Sequence, residues 1–275
     1  MKQRILTALV LAPVAVAMVL LLPTPLFALL TAFISLLALW EWTNLLGLRS
    51  TTARLAVLAA NALLLVLLWG VRDQAFWWDV IGLGIVWWLL VLVWLGNFSF
   101  AAAPTRINRA IKLIAGTLVV IPAWAAVIAL HRQPQHGHGW ALFALALVWA
   151  ADIAAFFAGS RYGTRKLAPR ISPGKTTAGV WGALAGSALF ALVACLVLDA
   201  RGAGLIGLIA IALLAVAASI VGDLFESLIK RQAQVKDSGS LFPGHGGLFD
   251  RLDSVFAALP VFAIGKLLLD LLLRP

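Results

Sequence analysis

The sequence predicts an all-α, polytopic membrane helix bundle with about nine transmembrane helices. Of its 275 residues, 63% are hydrophobic and only 12% are charged. The mean hydropathy of +1.03 is far above that of soluble proteins. Apolar runs long enough to cross roughly 30 Å of hydrocarbon recur along the whole chain. They lie near 5–22, 25–46, 54–71, 76–96, 109–130, 140–158, 177–198, 204–229 and 254–273.

Each apolar run is predicted to be an α-helix, because lipid satisfies no backbone hydrogen bonds and the runs lack the period-two alternation of barrel strands. The first run follows the basic segment Met1–Arg4. No small-residue cleavage site follows at a suitable distance, so we expect a retained first span rather than a cleaved signal peptide. The tryptophans stand largely near run ends, which is typical of anchoring at the membrane interface.

The positions of Lys and Arg predict how the bundle lies in the membrane. The formal net charge is +10, but the cations stand in short clusters between apolar runs, so we expect no nucleic acid as a partner. With nine helices and a cytoplasmic N-terminus, most of these clusters fall in cytoplasmic connections, as the positive-inside rule requires. We therefore expect a bacterial plasma (inner) membrane protein whose polar site faces the cytoplasm.

The most polar stretch of the chain is 222–253, GDLFESLIKRQAQVKDSGSLFPGHGGLFDRLD. Its first part continues an apolar helix and places four polar side chains on one helix face: Asp223, Glu226, Ser227 and Lys230. After a Gly-rich turn, Asp250 and Asp253 open the next helix. Carboxylates that share a small volume repel one another unless a divalent cation binds them, and hard oxygen ligands favour Mg²⁺.

A second polar stretch, 151–179, begins inside an apolar run with Asp152. An ionisable group in a span marks a functional site by default, although a structural pairing with a neighbouring helix is an open alternative. Further on, SPGKTT at 172–177 combines a lysine with glycine and hydroxyl residues, which donate to phosphate oxygens, notably at a helix start. The spacing GxxxxGK[ST] of a P-loop is missing. A basic loop that only orients the chain is the other interpretation.

Taken together, the two stretches predict phosphoryl or nucleotidyl transfer onto a lipid. A metal, phosphate-binding cations and a membrane-embedded body favour this chemistry, which needs no covalent nucleophile. It requires alignment of the attacking oxygen with phosphorus and stabilisation of the spreading negative charge. We divide the chain into N-terminal transmembrane helices at 1–135 and a C-terminal transmembrane catalytic region at 136–275.

Motifs in these stretches resemble the phosphatidate cytidylyltransferase family, also called CDP-diacylglycerol synthases. The resemblance rests on SLIKR at 227–231, KD at 236–237, LFPGHGGLFDRLD at 241–253 and ISPGKT at 171–176, the last similar to the family's ISPxKT. Ala178 stands where the family commonly has an acidic or amide residue, and Ala154 where it usually has glycine. The resemblance covers the region 150–255 and is much weaker in the first five spans.

The resemblance implies the reaction CTP + phosphatidate → CDP-diacylglycerol + diphosphate, for phospholipid biosynthesis, dependent on one or two Mg²⁺ ions. The implied partners are CTP, phosphatidate and membrane lipids, with a homodimer as a further possibility. The implied metal ligands are Asp223 and Asp250, then Asp253. The implied catalytic residues are Lys230, Arg231, Lys236, Asp237, His245 and Arg251. Substrate and phosphate are implied to be bound by Asp152, Ser172, Lys175, Thr176 and Ser227.

Several alternatives stay open at this point. Glu226 can be a metal ligand, a hydrogen-bond acceptor for a metal ligand, or the ion-pair partner of Lys230 one turn later. His245 can orient an oxygen or only brace the Gly-rich turn. A CTP-dependent lipid kinase, or a cytidylyltransferase for another lipid phosphate, is the nearest competing activity. A transporter is disfavoured, because charges are concentrated at one predicted face and in one half of the chain.

Overall fold

The structure, a computed structural model, describes residues 2–197, 202–239 and 246–273, without the side chains of 2–11 and 197. Within these ranges the chain forms nine α-helices and one two-stranded sheet. The helices are α1 Lys2–Leu21, α2 Thr24–Leu45, α3 Thr51–Gly70, α4 Phe76–Gly96, α5 Arg106–His131, α6 Gly137–Tyr162, α7 Thr177–Val197, α8 Ala203–Gln232 and α9 Phe249–Leu272. The strands are β1 Lys166–Ala168 and β2 Ser172–Thr176.

Eight helices, α2 to α9, are long and apolar enough to cross a membrane. In α1, the apolar part with described side chains is Ala12–Leu21. Each helix coincides with one of the nine predicted apolar runs, which confirms the predicted polytopic helix bundle. The side of the membrane on which the chain begins stays a prediction.

Helix α5 lies at the centre of the bundle, since 78% of its most apolar segment is buried. The helix pairs α6 with α7 and α8 with α9 pack along most of their lengths, and α9 also contacts α2, α4 and α5. The core is therefore continuous between the N-terminal and C-terminal helices. The predicted division at residues 135 and 136 stays a prediction.

Several tryptophans lie in the core of the bundle and not on its outer surface. Trp42 is fully buried and Trp77 and Trp124 are nearly so. Trp42 donates from Nε1 to Lys112 O at 2.8 Å, and Trp124 donates to Ala28 O at 3.1 Å. For these residues, a helix carbonyl satisfies the indole N–H between packed helices, while interfacial anchoring of most other tryptophans stays a prediction.

The segment between α6 and α7 forms a short β-hairpin, which the sequence did not predict. Lys166 pairs with Thr176 and Ala168 with Ser172 in antiparallel register. The SPGKT residues are therefore a strand, and α7 begins immediately afterwards at Thr177. The hairpin lies at the end of the bundle where α6 and α8 finish and where α7 and α9 begin.

Candidate active site

Helices α8 and α9 approach each other closely at Gly222. A Cβ atom here would lie 2.5 Å from Asp253 O and 2.8 Å from Ala257 Cβ, so the backbones can meet only because residue 222 has no side chain. This approach places Asp223 and Glu226 of α8 beside Asp253 of α9. One carboxylate oxygen from each of the three lies within 4.8 Å of the others. We call these three residues the acidic cluster.

The members of the acidic cluster differ in burial. Glu226 is 1% exposed and Asp253 is 7% exposed, whereas the side chain of Asp223 is 35% exposed. Asp223 is therefore the member of the cluster that solvent can reach, while the other two carboxylates are buried. It lies nine residues before Gln232, the last residue of α8, which corresponds to about 14 Å of helix. The cluster thus lies inside the bundle and not at its polar end.

Two lysines balance part of the negative charge. Lys175, from β2, forms an ion pair with Asp223. Lys230 lies 2.6 Å from Glu226 Oε2 and 2.5 Å from Asp250 Oδ1. Lys230 therefore joins a carboxylate of α8 to a carboxylate of α9, and the pairing of Glu226 with Lys230 is the one that their helical spacing favours.

A cleft of about 460 Å³ opens beside the acidic cluster. Asp152, Lys175 and Asp223 line its polar part, while Phe156 of α6 and Ala183 of α7 belong to its apolar wall. The structure thus brings the two polar stretches of the sequence to one cavity. A cavity with one charged end and one apolar wall suits an amphipathic ligand.

Asp250 holds the connection between α8 and α9. Its Oδ2 accepts hydrogen bonds from Ser238 N at 2.8 Å, Ser238 Oγ at 2.9 Å and Gly247 N at 2.8 Å. Gly246 has φ of +79°, and a Cβ there would lie 2.9 Å from Asp250 Oδ2 and 3.4 Å from Asp237 Oδ1. Glycine is required at this turn for both reasons, and it lets Asp237 lie near Asp250.

Glu41, in α2, contributes to the candidate active site, and the sequence interpretation missed it. It is 7% exposed, and its Oε2 accepts hydrogen bonds from Ser238 Oγ at 3.0 Å and Phe249 N at 2.9 Å. Glu41 therefore braces the α8–α9 connection from the N-terminal half of the chain. An acidic residue inside an apolar run was the available signal, the same one that identified Asp152.

The β-hairpin is fixed to the site by two contacts. Arg231 donates from Nε to Ile171 O at 3.2 Å, which ties the end of α8 to the hairpin. Thr176 is 6% exposed, and its Oγ1 accepts a hydrogen bond from Gly179 N at 3.1 Å. Thr176 thus caps α7 and holds Lys175 in position; phosphate binding by Thr176 and by the half-buried Ser172 stays a prediction.

The remaining predicted site residues lie nearer the surface. Ser227 is half-buried on α8, and three residues are exposed: Lys236, Asp237 and Arg251. His245 falls outside the described residues. The structure therefore brings together the predicted residues of α6, β2, α8 and α9 that lie within the bundle, and leaves their surface neighbours at the rim.

The acidic cluster fits a divalent cation. Its donors are hard carboxylate oxygens. Glu226 Oε1 is buried and has no hydrogen-bond partner among the described residues, a cost that a bound cation would remove. The structure groups Glu226, and not the predicted Asp250, with Asp223 and Asp253, because protein donors occupy both oxygens of Asp250. A metal-binding role for Asp250 stays a prediction.

Comparison with known proteins gives one consistent result. A sequence model described as "Cytidylyltransferase family" matches residues 2–268. The phosphatidate cytidylyltransferase of Pseudomonas aeruginosa is 42% identical over 263 residues, covering 96% of this chain and 96% of the relative. That of Haemophilus influenzae is 35% identical, covering 96% and 97%. That of Bacillus subtilis is 39% identical over 137 residues, covering 48% and 49%.

Proposed function

This chain belongs to the cytidylyltransferase family, and we propose that it condenses CTP with phosphatidate to give CDP-diacylglycerol and diphosphate. The observation that carries the proposal is the joining of the acidic cluster and Lys175 to a cleft with an apolar wall inside a membrane bundle. Such a site can hold a metal–triphosphate and the phosphate of a lipid at the same time.

In the proposed reaction, an oxygen of the phosphatidate phosphate forms a bond to the α-phosphorus of CTP. The bond from that phosphorus to the oxygen bridging to the β-phosphate breaks, and the electron pair leaves with diphosphate. Mg²⁺, when bound, supplies positive charge to the phosphate oxygens. We propose that Asp223, Glu226 and Asp253 hold this ion.

The two lysines of the site have different proposed roles. Lys175 lies in the cleft on a strand, so its ammonium group can move from Asp223 to a phosphate oxygen without a change in the backbone. Lys230 lies deeper, between Glu226 and Asp250, and keeps these carboxylates in place. Fixed cations around the transferred phosphoryl group stabilise the negative charge that spreads in the transition state. Arg231, Lys236 and Arg251, near the rim, would receive the triphosphate.

The route of the lipid follows from the walls of the cleft. Phe156 lines the cleft and is 70% exposed on the outer face of α6, where membrane lipid would contact the protein. Ala155 of α6, Ala183 of α7 and Ile220 of α8 belong to the apolar wall of the cleft. We propose that the acyl chains of phosphatidate lie along this wall while its phosphate reaches Lys175.

The placement of the protein in the cell is part of the same proposal. CTP is a cytoplasmic compound, and the positive-inside rule places the hairpin and the α8–α9 connection on the cytoplasmic side. The relatives come from bacteria, which supports a bacterial inner membrane. The homodimer implied by the family resemblance stays a prediction.

The test is an assay of the purified full-length chain in detergent with CTP labelled at the α-phosphate, phosphatidate and Mg²⁺. We expect Mg²⁺-dependent labelled CDP-lipid with an equimolar amount of diphosphate. Lys175→Gln should lower turnover at least about tenfold, because it removes a charge-assisted contact to phosphate, whereas Lys166→Gln at the exposed edge of β1 should not. Release of CDP with a phosphorylated lipid would instead identify a lipid kinase, and no turnover would overturn the proposal.

A further inference from the structure

A second cavity, of about 840 Å³, opens at the same end of the bundle and shares no lining residue with the cleft of the acidic cluster. Three connections bound it: 45–50 after α2, 102–105 before α5 and 232–234 after α8. The wall is completed by Ala53, Asn108, Arg109 and Lys112. We call this cavity the basic hollow.

All the charged side chains that line the basic hollow are positive. Arg49, Arg109 and Lys112 line it, and no carboxylate is among its lining residues. In the part of the chain that the structure describes, none of these three cations forms an ion pair. Arg109 donates from Nε to Leu46 O at 3.3 Å and so covers the carbonyl end of α2. A concave surface with three cations and no internal counter-ion concentrates anions.

Two helix starts add to this positive potential. Ser50 caps α3 by accepting from Ala53 N at 3.3 Å, and Thr105 caps α5 by accepting from Asn108 N at 3.2 Å. All four residues line the hollow. Each cap satisfies the N–H group of its first turn that lies at the hollow, so what the two helix starts add is the positive end of their dipoles.

We propose that the basic hollow is a second phosphate-binding site, separate from the site of nucleotidyl transfer. Guanidinium and ammonium groups donate charge-assisted hydrogen bonds to phosphate oxygens, and the positive ends of two helix dipoles favour the same anion. The volume lies in the range of roughly 300–1,000 Å³ that is common for small-molecule sites, so the hollow has room for a ligand larger than inorganic phosphate. Two sources share this chemistry: the headgroup of an anionic lipid, since the hollow opens at a polar end of the bundle, and a soluble phosphate compound.

The decisive variant is Arg49→Gln combined with Lys112→Gln. Neither side chain has a described polar contact that the fold depends on, since the bond from Trp42 uses only the backbone carbonyl of Lys112. Arg109 is left unchanged because it caps α2. The control for Lys112→Gln is Arg106→Gln, since Arg106 is exposed earlier on the same helix, α5, and is not among the residues lining the hollow. Thermal unfolding of each variant verifies that the fold is retained.

Binding is measured in two arms on the full-length protein. In the lipid arm, native mass spectrometry counts phosphatidylglycerol bound after equilibration in mixed detergent micelles, with phosphatidylcholine as the neutral comparison. In the soluble arm, inorganic phosphate is titrated against the parent, the double variant and Lys166→Gln, whose side chain is exposed on β1 and lines neither cavity. We expect the double variant to lose affinity about tenfold or more in one arm, while Arg106→Gln and Lys166→Gln retain it.

Loss of affinity in the lipid arm identifies a headgroup as the ligand, and loss in the soluble arm identifies a free phosphate compound. Parental affinity of the folded double variant in both arms would overturn the proposal. An equal loss in Arg106→Gln would also overturn it, because the effect would then belong to the general surface charge. None of these readouts uses turnover, so the result does not depend on the proposed reaction.

Discussion

Asp250 connects Lys230, in the proposed active site, to the backbone at Ser238 and Gly247, and its replacement by asparagine removes the charge but keeps the shape. We expect Asp250→Asn to lower turnover at least about 100-fold, because the variant loses the ion pair with Lys230 and one amide N–H₂ would face the donors of Ser238 or Gly247. The assay is CDP-lipid formation, with thermal unfolding measured in parallel. Asp79→Asn, an exposed acid in the first turn of α4, is the control and should retain activity. Normal turnover in Asp250→Asn would remove this residue from the site.

Glu41 offers a second test at the scale of one residue, because it acts on the site from a distance. Glu41→Gln removes the buried charge that accepts from Ser238 Oγ and Phe249 N, so the α8–α9 connection should open more often. We expect a lower unfolding temperature and faster tryptic cleavage after Lys236, with a cost of about 1–3 kcal/mol for weakening a buried charged acceptor. Asn44→Ala, exposed on the same helix, should change neither. Unchanged cleavage in Glu41→Gln would show that the connection does not depend on this brace.

At the scale of elements, the close approach of α8 and α9 creates the acidic cluster. Gly222→Ala places a Cβ atom 2.5 Å from Asp253 O, so the helices must separate and Asp253 must move away from Asp223 and Glu226. We expect a loss of about 1–3 kcal/mol in the free energy of unfolding, as for other overpacked sites, and a larger relative loss of turnover. The matched control is Gly82→Ala on α4, where a Cβ meets nothing within 4 Å. This control should be neutral or stabilise by up to ~1 kcal/mol, and equal behaviour of the two variants would contradict the argument.

The elements also show what a sequence can and cannot predict here. The nine helices could be predicted, because a long apolar run has only the helix as a solution in lipid. The hairpin at 166–176 could not, since it has no alternation of apolar and polar residues and is held by contacts such as Arg231 to Ile171. The grouping of Glu226 with Asp253 depends on how α8 meets α9 at Gly222, which the spacing within one helix does not specify. The role of Glu41 needs a contact with Ser238 across 197 positions of the chain.

At the scale of the whole molecule, both proposed sites lie at the same end of the bundle. The cleft of the acidic cluster and the basic hollow both open there, and α8 contributes to each, through Asp223 and through Gln232. Gln232 donates from Nε2 to Phe98 O at 2.8 Å and to Phe100 O at 3.1 Å, which ties the α4–α5 connection to the end of α8. One membrane face therefore carries the proposed chemistry, and the orientation of the chain decides whether CTP can reach it.

That orientation is testable with cysteine labelling, because the single cysteine, Cys195, is buried and can be replaced by alanine. Thr164→Cys, exposed in the α6–α7 connection, and Gln135→Cys, exposed in the α5–α6 connection, then report opposite ends of α6. We expect a membrane-impermeant maleimide to label Gln135→Cys in intact spheroplasts and Thr164→Cys only after lysis, since the basic connections face the cytoplasm. Denatured samples control for equal reactivity of the two thiols. The reverse pattern would place the cleft on the side of the membrane that lacks CTP and would contradict both the orientation and the proposed reaction.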